Sequence, residues 1–340
     1  MRAYVNSYCP RYNRVSACHL ETAKREEMAY IAGVELGGTT CLAAIAELSH
    51  PTTMVECFET DTTTPQETLS SLSEYLKEKL AGLKIAAYSS IGIASFGPLD
   101  LCKESKTFGY ITTTPKEGWR NVADVVGFFK REFGESTPIV FETDCNAPAI
   151  AEMAKIKQDQ TDPPTVVYIT IGTGVGVGAV VRGEPIHGLL HPEAGHMIIP
   201  PMAGDSYPGG CTFKHRYCVE GMVHSKAIAD RAGVSQRELH TLPDNHEVWE
   251  KAGYYLGALC LNITYALSPH VIVLGGGIMK RKVLYGIVRR WFKDLLKGYL
   301  DAEKFKTDEG LASYIRESIY GDSAGIVGAL ELARQAACKK

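Results

Sequence analysis

Two stretches of the chain show the same order of apolar and glycine positions. In each, two short apolar runs flank a turn rich in glycine and threonine: 30–36 and 41–46 flank Gly37-Gly38-Thr39-Thr40, and 166–171 and 175–181 flank Gly172-Thr173-Gly174. Short apolar runs bounded by glycine are typical of β-strands, so both stretches predict glycine-tipped hairpins. Their recurrence predicts two lobes built on one plan.

Apolar residues also recur at helical spacing over longer segments. Leu69, Leu72 and Leu76 share one side of a helix predicted over 65–83, and a buried strand is predicted over 91–96. Further helices are predicted over 248–267, 280–300 and 324–337, and further strands over 138–141 and 270–274. This alternation of strands, glycine turns and helices predicts an α/β protein that binds its ligands at the carboxyl ends of strands.

The composition and charge of the chain narrow the classes of binding partner that we expect. At 340 residues the chain exceeds the size at which a single core stops growing, which agrees with two lobes. It carries 36 basic and 39 acidic side chains without a basic run, so neither a nucleic acid nor an anionic membrane surface is an expected partner. No uninterrupted apolar stretch of about 18 residues predicts a membrane span.

The ten cysteines are scattered, and only Cys211 and Cys218 have a metal-like arrangement. This usage indicates a reducing cytoplasm. Residues 1–29 precede the first predicted strand and are expected to form an N-terminal extension. Because Arg2, Arg11 and Arg14 are accompanied by no acid within the first 20 residues, a transit peptide stays open as an alternative.

Three glycine turns are candidate phosphate-binding loops. Glycine lets backbone N–H groups approach phosphate oxygens, and threonine hydroxyls add donors. For either hairpin turn alone, glycine required only for a tight turn is an equal alternative; a third glycine loop after an apolar strand favours a nucleotide. No P-loop motif occurs, and the glycines from 172 to 178 do not open a helix as in a dinucleotide-binding fold. The candidates are Gly37, Gly38, Thr39, Thr40, Gly172, Thr173, Gly174, Gly275, Gly276 and Gly277.

Asp144 is the candidate catalytic base. It follows a predicted buried strand and precedes a helix whose positive end favours the ionised carboxylate, which can accept a proton from a substrate hydroxyl. Phosphoryl transfer requires little of its general base beyond correct placement, so an aspartate can serve. The alternative is an ordinary helix N-cap.

The stretch 187–221 contains the most specific local pattern. His196, Cys211, His215 and Cys218 can close a tetrahedral Cys2His2 shell, which is typical of structural zinc. Zinc would fix this glycine-rich loop, so that Glu193 and Glu220 hold set positions toward a polyol. The alternative is a polar surface loop in which cysteine and histidine are fortuitous.

Several motifs together resemble the ROK family (repressor, open reading frame, kinase) of sugar kinases. The shared motifs are 33–39 (GVELGGT), 143–147 (TDCNA), 172–176 (GTGVG), 191–196 (HPEAGH) and 218–221 (CVEG). Two others, 91–100 (IGIASFGPLD) and 110–119 (YITTTPKEGW), are most similar to its fructokinase branch. The likeness extends from about residue 30 to the C-terminus.

The resemblance implies a two-lobed actin-like (ribonuclease H-like) ATPase fold, a homodimer, and ATP with Mg²⁺. It implies phosphoryl transfer to the 6-hydroxyl of D-fructose; a kinase for mannose, glucose or N-acetylmannosamine and a non-catalytic sugar-sensing regulator are the alternatives. The base falls on Asp144, the phosphate loops on 37–40 and 172–174, and an adenosine contact on 275–277. The implied sugar-binding residues are Gly97, Asn146, Glu193, His196 and Glu220.

The expected lobes cover 30–145 and 146–319, with the zinc loop 187–221 in the second and a C-terminal helix, about 320–340, that can return to the first. Two departures from the family pattern matter. The family usually has lysine where this chain has Thr40, and its zinc motif is one residue shorter than Cys211-x-x-x-His215. The preferred hexose and the Mg²⁺ ligands stay open.

Overall fold

Two five-stranded mixed sheets form the framework of the protein in a computed structural model that describes residues 29–157 and 162–339. The first sheet contains β1 (Tyr30–Leu36), β2 (Thr40–Glu47), β3 (Met54–Asp61), β4 (Ile91–Ser95) and β5 (Ile139–Thr143). The second contains β6 (Val166–Ile171), β7 (Val175–Val181), β8 (Glu184–Pro185), β9 (Val271–Gly275) and β10 (Ile315–Glu317). The extension predicted over 1–29 lies, except for its last residue, outside the described residues.

The two sheets share one strand order. The first reads β3-β2-β1-β4-β5, and the second, taken from its other end, reads β8-β7-β6-β9-β10. In both, the predicted hairpin is antiparallel, and its first strand also pairs in parallel with a later strand: β1 with β4, and β6 with β9. The repeated plan expected from the two glycine turns is therefore present.

Ten α-helices lie in the described ranges. They are α1 (Pro65–Leu83), α2 (Val125–Phe133), α3 (Asn146–Lys157), α4 (Val219–Val223), α5 (Ser225–Ala232), α6 (Glu247–Leu267), α7 (Val283–Leu296), α8 (Glu303–Lys306), α9 (Asp308–Tyr314) and α10 (Ala324–Cys338). Local chemistry sets several ends: the Thr64 hydroxyl accepts a hydrogen bond from the Glu67 backbone N–H at the start of α1, and Ser268, at φ 45°, ends α6.

Several elements differ from the prediction, among them α7 and β3. Helix α7 begins at Val283 rather than at residue 280, because Gly277–Lys280 forms a short 3₁₀ helix first. Strand β3 was not predicted; it lies at the sheet edge, where Glu56 and Glu59 are exposed and the apolar pattern is weak. None of the helices in the described ranges is long and apolar enough to cross a membrane.

Helices α3 and α10 pack against each other and position the end of β5. Helix α10 covers β1 and β4, and a Cβ at Gly328 would collide with the backbone of Ala147 in α3. Such close approach requires glycine. Because only two residues separate the end of β5 at Thr143 from the start of α3, its packing fixes the backbone of Asp144 between strand and helix.

Candidate active site

Asp144 lies where β5 ends, next to the end of β4. Its backbone N–H donates to the Ser95 carbonyl oxygen at 2.8 Å, and the Cys145 thiol donates to its Oδ1 at 3.4 Å. The residue is partly exposed at the end of the edge strand β5. Burial raises the pKa of Asp144 to about 6, which leaves it ionised at neutral pH and makes it a stronger proton acceptor than an ordinary aspartate.

Asn146, a predicted sugar contact, makes two hydrogen bonds within the protein. The residue is buried; its Nδ2 donates to Glu142 Oε1 at 3.0 Å, and its Oδ1 accepts from the Ala179 N–H at 2.9 Å. Because both ends of the amide bind protein groups, the side chain ties α3 to β7 and holds the turn that carries Asp144.

Glu35, to which the sequence analysis gave no role, lies at the end of β1 against the first turn of α10. Its Oε2 atom is buried without a hydrogen-bond partner, and a Cβ at Gly325 would collide with the carboxylate. Burial first, and then the charge of Asp144, raise the pKa of Glu35 to about 7. Two acids with raised pKa values, one carrying an oxygen without a partner, are typical of a functional site.

Glu193 is held by His191, a second residue without a predicted role. His191 Nε2 accepts a hydrogen bond from the Leu99 N–H at 3.1 Å, which leaves the proton on Nδ1, 3.3 Å from Glu193 Oε1. Burial lowers the pKa of His191, which favours the neutral ring. Burial and the charges of Glu220 and Asp144 raise the pKa of Glu193 to about 7. The predicted Gly97 lies beside the same imidazole.

Glu220 connects the second glycine turn to the predicted metal ligands. Its Oε2 accepts from the Val175 N–H at 3.1 Å, and a Cβ at Gly174 would come within 2.9 Å of that oxygen. Its Oε1 lies 3.9 Å from His196 Nε2. His196 therefore presents one ring nitrogen to an acid of the site, while the other is free to bind metal.

The four predicted zinc ligands form one cluster. The ligand atoms of His196, Cys211, His215 and Cys218 all lie within 4.8 Å of one another. Cys211 Sγ lies 3.8 Å from His196 Nδ1 and 3.7 Å from His215 Nδ1, separations that suit donors around a tetrahedral Zn²⁺. The additional residue before His215 is accommodated by Lys214, whose φ of 60° tightens the turn. The donor set therefore fits zinc.

The second and third glycine loops meet at a cavity of about 690 Å³. Gly172, Thr173 and Gly277 line it, while Gly275 and Gly276 approach Tyr168 and Ile171 closely. Trp249 and Arg281, whose guanidinium lies 4.9 Å from the centre of the indole ring, also line the cavity. The cavity is large enough for a nucleoside, and the 172–174 turn separates it from Glu220.

Comparison with known proteins identifies the family. A profile of the ROK family matches residues 31–336. The chain belongs to the ROK family. A fructokinase of Zymomonas mobilis is 37% identical over 300 residues, which cover 88% of this chain and 95% of that protein. A fructokinase of Lactococcus lactis is 37% identical over 273 residues, covering 80% of this chain and 87% of that protein.

Solved structures agree on the fold of this ROK protein. The ROK hexokinase of Thermus thermophilus matches it with a TM-score of 0.71 at 22% identity, over 92% of this chain and all of that chain, 100%. The expected two-lobed actin-like fold is therefore confirmed. In this ROK protein Glu220 lies beside Gly174, while Gly172 and Thr173 of the same turn line the cavity, and the Gly37–Thr40 turn begins two residues after Glu35.

Proposed function

We propose that this ROK protein is an ATP-dependent hexose kinase that converts D-fructose to fructose 6-phosphate. The observation that carries the proposal is the position of Asp144, partly exposed at a strand end and electrostatically coupled to Glu35 and Glu193. The two curated relatives described above are named fructokinases, which supports fructose as the hexose.

Asp144 acts as the general base. Its carboxylate accepts the proton of the sugar 6-hydroxyl as that oxygen forms a bond to the terminal phosphorus of ATP. The bond between this phosphorus and the bridging oxygen of ADP breaks, and ADP leaves with the bonding electrons. Glu193, Glu220 and the Nε2 atom of His196 offer hydrogen-bonding groups for the remaining sugar hydroxyls, and the cavity beside Gly172 and Gly277 takes the adenosine.

Two metal ions accompany this assignment. Glu35 fits a role as a Mg²⁺ ligand beside the phosphates, because carboxylate oxygen suits Mg²⁺ and Oε2 has no protein partner. When bound with ATP, Mg²⁺ neutralises charge on the phosphate oxygens. The Cys2His2 cluster fits structural Zn²⁺, which would hold the 187–221 loop and orient His196 toward Glu220. The homodimer implied by the resemblance stays a prediction.

The experiment is an ADP-release assay with Mg²⁺ and ATP over fructose, mannose, glucose and N-acetylmannosamine. We expect the highest kcat/KM with fructose. A higher value for another hexose would correct the substrate and keep the kinase. Sugar binding without ADP release from any sugar would favour the non-catalytic regulator instead.

A further inference from the structure

The first glycine turn, Gly37–Thr40, has donors for phosphate but no positive charge of its own. The turn is closed by the Gly37 N–H, which donates to the Thr40 carbonyl oxygen at 3.1 Å, and Gly38 and Thr39 are exposed. Open space surrounds Gly38 where a side chain would stand. The phosphates of a nucleotide carry several negative charges, and proteins usually place a lysine or an arginine beside them.

Lys116 brings an ammonium group to this turn from a distant part of the chain. Its Nζ donates to the Thr62 carbonyl oxygen at 3.4 Å. Thr62 is itself bonded to the turn: its Oγ1 donates to the Gly37 carbonyl oxygen at 2.8 Å, and its N–H to the Thr39 carbonyl oxygen at 2.8 Å. Thr62 therefore links the Lys116 ammonium to Gly37 and Thr39 of the exposed turn.

The segment that carries Lys116 is anchored. Three residues further along, Trp119 is fully buried, and its Nε1 donates to the Thr63 carbonyl oxygen at 2.8 Å. The indole ring also packs edge-on against Phe96, with ring centroids 5.2 Å apart. The lysine backbone is thus held close to Thr62 by a core residue, and the ordering cost of placing the ammonium is correspondingly reduced.

The charge of Lys116 is not used within the protein. Among residues 29–157 and 162–339, no carboxylate forms an ion pair with this half-buried lysine, whereas Lys77 and Lys79 in α1 pair with Glu132 and Glu56. The electrostatic field of the Lys116 ammonium nevertheless reaches the Gly37–Thr40 turn. Burial raises the pKa of the Cys41 thiol, directly after Thr40, and the charge of Lys116 is one of the influences that oppose this rise.

We propose that Lys116 binds the terminal phosphates of the nucleoside triphosphate at the Gly37–Thr40 turn. An ammonium has three N–H donors, and the bond to Thr62 uses one, so two are left for phosphate oxygens alongside the backbone N–H groups of Gly38 and Thr39. Lys116 would supply the positive charge that Thr40 lacks. This inference rests on the proposed kinase function and assigns it a residue from outside the glycine loops.

The test compares Lys116→Met with the matched control Lys106→Met, an exposed lysine in the same segment with no ion pair among the described residues. Loss of a charge-assisted hydrogen bond corresponds to about a 10- to 100-fold fall in kcat/KM for ATP. We expect that fall in Lys116→Met with the KM for fructose unchanged, partial recovery in Lys116→Arg, and no change in Lys106→Met.

Direct binding separates a phosphate contact from a structural role. In Lys116→Met, the Kd for ATP should rise by about the same factor while the Kd for AMP, which lacks the terminal phosphates, stays near the wild-type value. The inference would be overturned if Lys116→Met weakened the binding of ATP and AMP equally, or if it raised the KM for fructose. Unchanged ATP kinetics in a variant with wild-type thermal unfolding would overturn it as well. Absence of ADP release by the wild-type protein would instead remove the proposed function.

Discussion

His196 Nε2 and Glu220 Oε1 lie 3.9 Å apart, while the Nδ1 atom of the same imidazole ring lies 3.8 Å from the sulfur atoms of Cys211 and Cys218. The imidazole ring of His196 therefore lies between the predicted zinc ligands and Glu220, an acid of the proposed sugar site. A metal bound at Nδ1 would fix the orientation of the ring and leave Nε2 directed at Glu220. A zinc ion held by this cluster and the proposed sugar site would thus be coupled through a single residue.

Zinc removal should weaken sugar binding before it unfolds the protein. We expect stoichiometric zinc in freshly purified protein, and a chelator should raise the KM for fructose by about 10-fold or more, the usual cost of disturbing groups around a metal. Thermal unfolding should shift to lower temperature, since bound zinc contributes folding free energy. Metal analysis, fructose kinetics and calorimetry on the same sample measure the three effects.

The matched variants are Cys211→Ser and Cys57→Ser. Cys211 belongs to the cluster, whereas Cys57 is exposed on the edge strand β3. We expect zinc loss only in Cys211→Ser. Equal zinc content in both variants would show that the cluster does not hold the metal.

Asp144→Asn should reduce kcat by roughly 10²- to 10⁴-fold, because amide nitrogen and oxygen cannot accept the hydroxyl proton. The KM for fructose should change little, since the side chain keeps its size. Steady-state ADP release and fructose binding measure the two effects, with the exposed Asp308→Asn as control. Near-normal turnover in Asp144→Asn would refute its assignment as the base.

The pH dependence of kcat/KM for fructose should follow the acids of the site. Asp144 must be ionised to accept a proton, and its pKa of about 6 means that activity rises as pH increases through 6. Glu193, with a pKa of about 7, adds a second rise if its ionised form binds sugar hydroxyls. In Glu193→Gln the rise near 7 should disappear and the rise near 6 should persist. A profile that is flat from pH 5 to 8 would contradict both assignments.

Local sequence patterns predicted the parts of the fold that depend on neighbouring residues. The hairpin turns 37–40 and 172–174 could be predicted because glycine and threonine interrupt the apolar runs that flank them directly. Strand β3 was missed because its stability comes from pairing with β2 rather than from its own pattern, and Glu56 and Glu59 face solvent. Burial at a sheet edge is set by tertiary contacts.

The residues of the candidate site likewise divide into those that a local sequence pattern predicts and those that depend on long-range contacts. The predicted zinc ligands lie in one stretch, so their spacing could be recognised. His191 lies 92 residues from Leu99, whose N–H fixes its ring, and no sequence pattern connects the two. Similarly, the burial of Glu35 depends on α10, near the opposite end of the chain. Long-range packing creates these roles, so sequence reasoning had no signal for them.

His191→Ala should impair sugar binding through Glu193. The substitution removes the imidazole Nδ1, which lies 3.3 Å from Glu193 Oε1, and leaves the Leu99 N–H without its acceptor. Loss of this polar contact to an acid predicts about a 10-fold rise in the KM for fructose, with the KM for ATP unchanged. His191→Gln, which retains both an acceptor and a donor, should recover part of the loss. A rise confined to the KM for ATP would rule out this role.

Glu35→Gln should stabilise the protein at pH 8 while reducing its activity. Burial raises the pKa of Glu35 from 4.5 to about 7, so between these values the folded state binds more protons than the unfolded state. Stability linked to this group is therefore fully present below pH 4.5 and is lost as pH rises toward 7 and above. The neutral amide of Glu35→Gln does not undergo that loss. The free energy of unfolding of this variant should therefore exceed that of the wild type by on the order of 1–3 kcal/mol at pH 8, and by little at pH 5. Urea unfolding without nucleotide or Mg²⁺, at both pH values and with the exposed Glu74→Gln as control, measures it. An equal effect of Glu35→Gln at pH 5 and pH 8 would mean that the carboxylate is not ionised at a cost in the folded protein.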